Sequence, residues 1–177
     1  MTCIIGIKGN GKVIIGGDTQ ASGGYEATAR LDEKVFIRHD FIIGFTSSYR
    51  MGQLLQYVVE FPEQPKGMGD FEYMVVHFIE AIRTTFKEYG YTKIDSNRED
   101  GGCFLVGYRG ELYTIYGDFQ VEHPRDGFTA VGSGEEYAKG AMQALRHLPP
   151  KKRVKESLKI SAKFNVGVGA PYTIMEL

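Results

Sequence analysis

Cysteine is nearly absent from this sequence, which has only Cys3 and Cys103. Two cysteines provide neither a disulfide framework nor the ligand spacing of a metal site, and they favour a reducing cytoplasm. Excess charge is absent too, since the formal net charge of -1 excludes the basic field that draws a protein to nucleic acid. No apolar run approaches the roughly 20 residues of a membrane span, and no secretory signal opens the chain. We therefore expect a cytoplasmic protein that binds neither nucleic acid nor a membrane.

Patterns for metals and cofactors are also missing. No spacing typical of metal ligands relates the four histidines, which are His39, His77, His123 and His147. Gly9-Asn10-Gly11 lies between two strand patterns and lacks the following helix of a phosphate-binding loop. The basic run at residues 151–155 is interpreted as the solvated face of a helix. The sequence thus predicts no metal and no cofactor.

The order of the predicted elements indicates the fold class. The 177 residues suffice for one sizeable core, so one domain spanning residues 1–177 is expected. β-Branched and aromatic runs predict strands at residues 2–7, 12–15, 29–38, 41–45, 103–108, 111–116, 119–121, 128–131, 164–168 and 172–175. Apolar residues at helical spacing predict helices within residues 51–58, 71–86, 133–145 and 151–162. This order predicts an α+β fold with two sheets packed between two helical layers.

Two local signals refine these elements. Asn10 and Gly11 tolerate positive φ, so they predict a tight hairpin between the first two strands. Ser133 stands three residues before Glu136, which is the spacing of a capping box. We therefore expect Ser133 to cap the third helix.

The start of the chain offers a candidate nucleophile. A small residue in second place, here Thr2, permits an aminopeptidase to remove Met1, which would leave Thr2 with a free α-amine beside its hydroxyl. An α-amine with an unperturbed pKa of about 7.7 to 8.0 can take the hydroxyl proton and so activate the oxygen. Threonine also occurs in second place by chance. Cys3 is another candidate nucleophile, although a small core residue is the better interpretation.

Two charged residues strengthen the hypothesis for Thr2. Asp18 ends the strand that pairs back on the first one, so its carboxylate returns towards the N-terminus. Lys34 follows at the same interval, since 18 − 2 = 16 and 34 − 18 = 16. An ammonium held by that carboxylate favours the negative charge that develops on an alkoxide. A solvated aspartate and a surface lysine are the alternative interpretation.

Several short motifs together resemble a known family. They are Thr-Cys-Ile-Ile-Gly-Ile from Thr2, Gly-Gly-Asp-Thr-Gln-Ala-Ser from Gly16, Lys34-Val35, Gly-Phe-Thr-Ser-Ser from Gly44 and Val-Gly-Ser-Gly from Val131. In this order and spacing, the chain resembles the proteasome β-type, HslV-like family of N-terminal-nucleophile (Ntn) hydrolases. The tail, residues 157–160 and 173–177, is similar as well, so the resemblance spans nearly the whole chain.

The resemblance implies a fold and an activity. The fold would be a four-layer αββα sandwich. The activity would be that of a threonine-type endopeptidase, which cleaves peptides or unfolded polypeptides inside the chamber of a homo-oligomeric ring. An AAA+ unfoldase ATPase is a possible partner.

The resemblance also implies roles for individual residues. Thr2 would be both nucleophile and base, and Asp18 with Lys34 would be the supporting ion pair. Ser133 would shuttle the proton to the α-amine. The backbone N–H of Ser47 would stabilise the oxyanion, and main-chain groups around Ser22 would pair with a substrate strand.

The chain departs from the family pattern in three places. Ser47-Ser48 stands where the family has Gly-Gly in the oxyanion turn, and the hairpin between Lys34 and Gly44 is shorter. Lys163 aligns with an acidic residue that supports the catalytic threonine, so weak activity is expected.

Two other functions stay open at the level of sequence. One is a catalytically silent ring or scaffold protein that keeps the fold without the chemistry. The other is an Ntn amidase that acts on small molecules.

Overall fold

The computed structural model describes residues 1–23, 26–95 and 98–177. Its strands are β1 (Ile4–Gly9), β2 (Lys12–Asp18), β3 (Gln20–Gly23), β4 (Glu26–Ala29), β5 (Val35–Arg38), β6 (Phe41–Phe45), β7 (Lys93–Asp95), β8 (Arg98–Asp100), β9 (Phe104–Tyr108), β10 (Glu111–Ile115), β11 (Val121–Glu122), β12 (Phe128–Val131) and β13 (Tyr172–Glu176). Its helices are α1 (Tyr49–Tyr57), α2 (Asp70–Tyr73), α3 (Ile79–Glu88), α4 (Glu135–Ala144) and α5 (Pro150–Phe164). A π-helical turn, Met74–Phe78, joins α2 to α3 without a break.

Two antiparallel sheets form the middle of the molecule. One has the strand order β12-β1-β2-β13 and the other β11-β10-β9-β6-β5. Residues from both sheets, including Ile4, Ile15, Ile42 and Leu105, share one buried cluster between them. Because this cluster is apolar and fully enclosed, the two sheets pack face to face.

Helices cover the outer face of each sheet. Val154 and Leu158 of α5 and Met142 of α4 share a buried cluster with residues of the four-stranded sheet. Leu54 of α1 and Ile82 of α3 belong to the cluster on the outer face of the five-stranded sheet. The layers therefore run helix, sheet, sheet, helix, which confirms the predicted αββα sandwich. Within the described residues, no helix is long and apolar enough to cross a membrane.

The first hairpin forms as predicted. Asn10 and Gly11 have φ values of 54° and 73°, which is the left-handed pair that a tight β-turn requires. Ile4 pairs with Gly17 in the resulting ladder. The hairpin therefore brings the end of β2 back to the start of the chain.

Three predicted elements are wrong. The strand predicted at residues 29–38 starts only at Val35, and Glu26–Ala29 pairs instead with Gln20–Gly23 in a separate hairpin. Residues 164–168 form no strand, because α5 continues to Phe164 and a turn follows. Ser133 is not the cap of α4: the N-cap is Gly134, with no side-chain capping bond.

Candidate active site

Thr2 lies buried directly before β1, against the turn that links β12 to α4. Its backbone N–H donates to Ser133 Oγ at 3.2 Å, and its hydroxyl donates to the carbonyl oxygen of Met1. The carbonyl oxygen of Thr2 accepts the N–H of Gly134 at 3.3 Å. The serine that sequence patterns assign to a helix cap therefore binds the main chain of Thr2 instead.

Gly132 permits this close approach. Its φ is 100°, and a Cβ at this position would collide with the carbonyl oxygen of Thr2. Only glycine combines this backbone conformation with the lack of a side chain. The β12–α4 turn can therefore close on the N-terminus and present Ser133 to Thr2.

Asp18 and Lys34 form a buried ion pair beside Thr2. Lys34 Nζ lies 2.9 Å from Asp18 Oδ2, and the two side chains are 2% and 0% exposed. The other carboxylate oxygen of Asp18 accepts the N–H of Cys3 at 2.8 Å, and Lys34 also donates to the carbonyl oxygen of Gln20 at 2.5 Å. The bond to Cys3 links the ion pair to the residue that follows Thr2.

Burial acts on both members of this pair. Burial raises the pKa of Asp18 and lowers the pKa of Lys34, because the charged form of each side chain loses its solvent. The charge of Lys34 opposes the rise for Asp18, and the charge of Asp18 opposes the fall for Lys34. A buried pair of this kind holds its charge only while both members are present. The ammonium of Lys34 is thus fixed in a poorly solvated position, and Asp18 links it to the main chain of Cys3, the residue after Thr2.

Ser47 occupies the turn between β6 and α1. Its φ of 61° is unusual for a residue with a side chain, and its hydroxyl accepts the N–H of Cys103 at 3.1 Å. Thr46 bonds the carbonyl oxygen of the same Cys103 through both its N–H and its hydroxyl. Ser48 caps α1 by accepting the N–H of Arg50. The two serine hydroxyls therefore tie this turn to Cys103 and to the first turn of α1.

A single cavity of about 600 Å³ connects most of the predicted site residues. It is lined by Thr2, Ser22, Lys34, Ser47 and Ser133, among others. Asp18 lies behind this lining and contacts it through Lys34. The structure thus brings all six predicted residues into one region.

Asn165 is a site residue that the sequence patterns missed. Its side-chain Nδ2 donates to the carbonyl oxygen of Ser133 at 2.6 Å, and its Oδ1 lies 3.5 Å from Ser133 Oγ. The Oδ1 atom also accepts the N–H of Gly167. Because residues 164–168 read as a strand in the sequence, the position of this side chain just after α5 could not be anticipated.

Lys163 faces elsewhere. Its side chain is exposed, and its ammonium lies 5.8 Å from the centroid of the Phe164 ring. The polar side chain that contacts Ser133 from this segment is that of Asn165. Lys163 is not among the residues that line the cavity containing Thr2, and its expected effect on activity stays a prediction.

Cys3 is a core residue. It is fully buried, and burial raises the pKa of its thiol to about 12. Because the thiolate is the reactive form of cysteine, this thiol is a poor nucleophile at neutral pH.

Met1 covers part of the cavity. It belongs to the cavity lining, and a Cβ on Gly167 would collide with its side chain. With Met1 in place, the nitrogen of Thr2 is an amide and cannot act as a base. Removal of Met1 would both free the amine and open this end of the cavity.

Sequence similarity to a named protein extends over nearly the whole chain. No family model matches it. Over 184 residues it is 27% identical to the ATP-dependent protease subunit HslV of Caldicellulosiruptor saccharolyticus, with 99% of this chain and 98% of the relative covered. This similarity supports the predicted resemblance to HslV-like proteasome β-type proteins.

Solved structures share the fold. BPH of Thiobacillus denitrificans superposes with a TM-score of 0.81 at 20% identity, covering 99% of this chain and 97% of that one. A complex of the same protein with epoxomicin gives 0.79 at 22% identity, covering 99% and 98%. Eukaryotic HslV from Trypanosoma brucei gives 0.68 at 21% identity, covering 99% and 98%. The chain therefore has the same fold as these solved structures.

Proposed function

We propose that this chain is a proteasome-like threonine peptidase that uses Thr2 as its nucleophile once Met1 has been removed. The observation that carries the proposal is the convergence on Thr2: its nitrogen lies 3.2 Å from Ser133 Oγ, and the buried Asp18–Lys34 pair is bonded to the next residue. Similarity to a protein named as an ATP-dependent protease subunit supports a peptidase in general.

The reaction follows from these groups. The free α-amine of Thr2 takes the hydroxyl proton, with Ser133 as the relay, while Thr2 Oγ1 bonds to the substrate carbonyl carbon. The N–H of Ser47 donates to the resulting oxyanion. The peptide C–N bond then breaks, and the departing amine takes the proton from the α-ammonium. Water hydrolyses the remaining ester, which releases the acid and restores the hydroxyl.

Lys34 has two electrostatic effects in this scheme. Its ammonium stabilises the negative charge that develops on Thr2 Oγ1. It also disfavours a second positive charge on the α-amine, which lowers the pKa of that amine and keeps it neutral as a base. Asp18 holds the ammonium in place.

The assembly and partners are proposed on the same ground. The chain would form a homo-oligomeric ring with its sites facing an enclosed chamber, receive peptides or unfolded polypeptides, and work in the cytoplasm with an AAA+ unfoldase ATPase. The word "subunit" in the name of the HslV relative supports an assembly of this kind.

The test is the labelling of Met1-free protein with a peptide vinyl sulfone, an electrophile that adds to activated hydroxyl and thiol groups. We expect a single adduct, mapped to Thr2 by mass spectrometry, and competition by epoxomicin, the compound in the Thiobacillus denitrificans complex. An adduct at another residue in an active sample would contradict the proposal. Absence of both adduct and peptide hydrolysis would favour a silent scaffold, and an active monomer that cleaves only small amides would favour the amidase.

Asn165 is expected to be a positioning residue for Ser133. Asn165→Ala removes the bond to the Ser133 carbonyl at 2.6 Å, and we expect kcat to fall by about 10- to 100-fold, since a misplaced catalytic group can cost about 100-fold. The pH profile of kcat/KM should also shift, because the relay to the α-amine changes.

The matched control is Lys163→Ala, in the same segment. Because its side chain is exposed and directed at Phe164, we expect kcat within about twofold of the parent. Lys163→Asp should likewise leave turnover unchanged. If Lys163→Ala lowers kcat more than Asn165→Ala does, the assignment of Asn165 is wrong.

A further inference from the structure

Arg30 and Tyr49 form one wall of the cavity that contains Thr2. Arg30 follows β4, and its backbone N–H donates to the carbonyl oxygen of Thr19 at 3.2 Å. The carbon Cζ of its guanidinium lies 3.9 Å from the centroid of the Tyr49 ring. Contact with the face of an aromatic ring at this distance fixes the guanidinium plane. The cavity that contains Thr2 therefore also has an oriented cation in its wall.

Both positive groups at this wall are paired with carboxylates that do not line the cavity. Arg30 donates to both carboxylate oxygens of Asp32, at 2.7 and 2.5 Å, through Nε and Nη2. Lys34 lies 5.9 Å from the same Tyr49 ring and is paired with Asp18. Arg30 and Lys34 line the cavity, whereas Asp32 and Asp18 do not. The cavity wall therefore presents two cations whose carboxylate partners lie outside its lining.

One acidic residue, Glu26, does line the cavity among the described residues, and β4 separates it from Arg30. Glu26 begins β4 and Ala29 ends it, so about 10 Å of strand separates Glu26 from the position where Arg30 follows, at roughly 3.3 Å per residue. The carboxylates that pair with Arg30 and Lys34 are Asp32 and Asp18, and Glu26 is not one of them.

Two hydroxyl groups at this wall lack partners. The Tyr49 hydroxyl and Ser22 Oγ are buried, and neither has a hydrogen-bond partner within the described part of the chain. Burial raises the pKa of Tyr49 to about 12, so its hydroxyl stays a donor. Because buried polar groups are nearly always hydrogen-bonded in folded proteins, a polar ligand group next to them would supply a partner that the described residues do not.

We propose that Arg30, with Tyr49 beside it, forms a subsite for an acidic side chain, Asp or Glu, on the substrate residue whose carbonyl Thr2 attacks. This inference rests on the proposed function. The attacked carbonyl must lie between Thr2 Oγ1 and the N–H of Ser47, and Tyr49 is only two residues from Ser47. A side chain attached next to that carbonyl therefore enters the cavity whose lining includes Arg30. The two donor hydrogens of Arg30 Nη1, which Asp32 does not use, are available to bind the carboxylate.

Binding tests the subsite without catalysis. Thr2→Ala protein is prepared free of Met1 and as the intact assembly. It is titrated with three peptides that carry Glu, Gln or Leu at the residue whose carbonyl Thr2 would attack and are otherwise identical. We expect the Glu peptide to bind about tenfold tighter than the Leu peptide, as one charge-assisted hydrogen bond allows. Adding Arg30→Met should reduce this preference to less than about twofold. The preference should also weaken at high salt, because Arg30 is exposed.

Arg125→Met is the matched control. It makes the same substitution at another exposed arginine, outside the cavity lining, and should leave the tenfold preference unchanged. Equal binding of Glu and Leu peptides, or a preference that survives Arg30→Met, would overturn the inference.

Turnover of the same peptides by Met1-free protein with Thr2 intact separates the two proposals. Hydrolysis without a preference for Glu would contradict the subsite and support the peptidase. A preference for Glu in binding, with no hydrolysis of any peptide, would support the subsite and contradict the proposed peptidase activity.

Discussion

Met1-free protein that carries Thr2→Ala should hydrolyse no peptide above background, a loss of at least about 1,000-fold in kcat. Alanine keeps the α-amine but removes the oxygen that attacks the carbonyl, so no ester can form. The fold should be unaffected, because the substitution removes only a hydroxyl and a methyl group, and the bonds to Ser133 and Gly134 are made by the main chain of Thr2. Turnover of a fluorogenic peptide and the thermal unfolding midpoint are measured together.

Two control variants accompany Thr2→Ala. Thr2→Ser keeps a hydroxyl and should retain measurable turnover. Thr173→Ala makes the same change as Thr2→Ala at an exposed bond to Glu33 and should keep full turnover. Peptide hydrolysis that survives Thr2→Ala would show that another residue is the nucleophile.

Replacing Lys34 by methionine should lower both stability and turnover. The change leaves the fully buried carboxylate of Asp18 without its partner, so we expect the free energy of unfolding to fall by about 3 to 5 kcal/mol. The loss should shrink at low pH: burial raises the pKa of Asp18, and a protonated carboxyl has no charge to bury. Turnover should fall to near background even where the variant is folded.

A double variant separates the two effects. Lys34→Met with Asp18→Asn removes both charges, so part of the stability should return while turnover stays lost. Lys12→Met breaks an exposed ion pair with Glu176 and should change neither quantity appreciably. Full turnover in a folded Lys34→Met variant would show that the ammonium takes no part in the reaction.

The sequence predicts elements well where local signals are strong. The Asn10-Gly11 turn and the helices with apolar residues at helical spacing form as expected. The sequence did not predict the β3–β4 hairpin, because all four residues of β4 are exposed. Burial therefore imposes no alternation of apolar and polar residues on this strand. Residues 164–168 were predicted as a strand because Phe164, Val166 and Val168 alternate with Asn165 and Gly167, which is the pattern of a half-buried strand. The helix α5 instead continues to Phe164.

The same contrast holds within the candidate site. Thr2, Asp18 and Lys34 could be proposed from sequence because a hairpin joins the first two, and a family resemblance covers all three. Asn165 could not, because its contact with Ser133 spans 32 residues and depends on how α5 ends. An alignment places Lys163 near the site, but the direction of its side chain depends on the tertiary structure.

The most direct test of the central claim is the turnover of one preparation before and after Thr2 becomes the first residue. The chain is made with a removable N-terminal extension, and intact mass is recorded beside the hydrolysis of a fluorogenic peptide. We predict no turnover while any residue precedes Thr2, and turnover that rises in proportion to the fraction of chains that begin at Thr2. Equal turnover before and after removal would contradict the account, because an acylated Thr2 nitrogen cannot serve as the base.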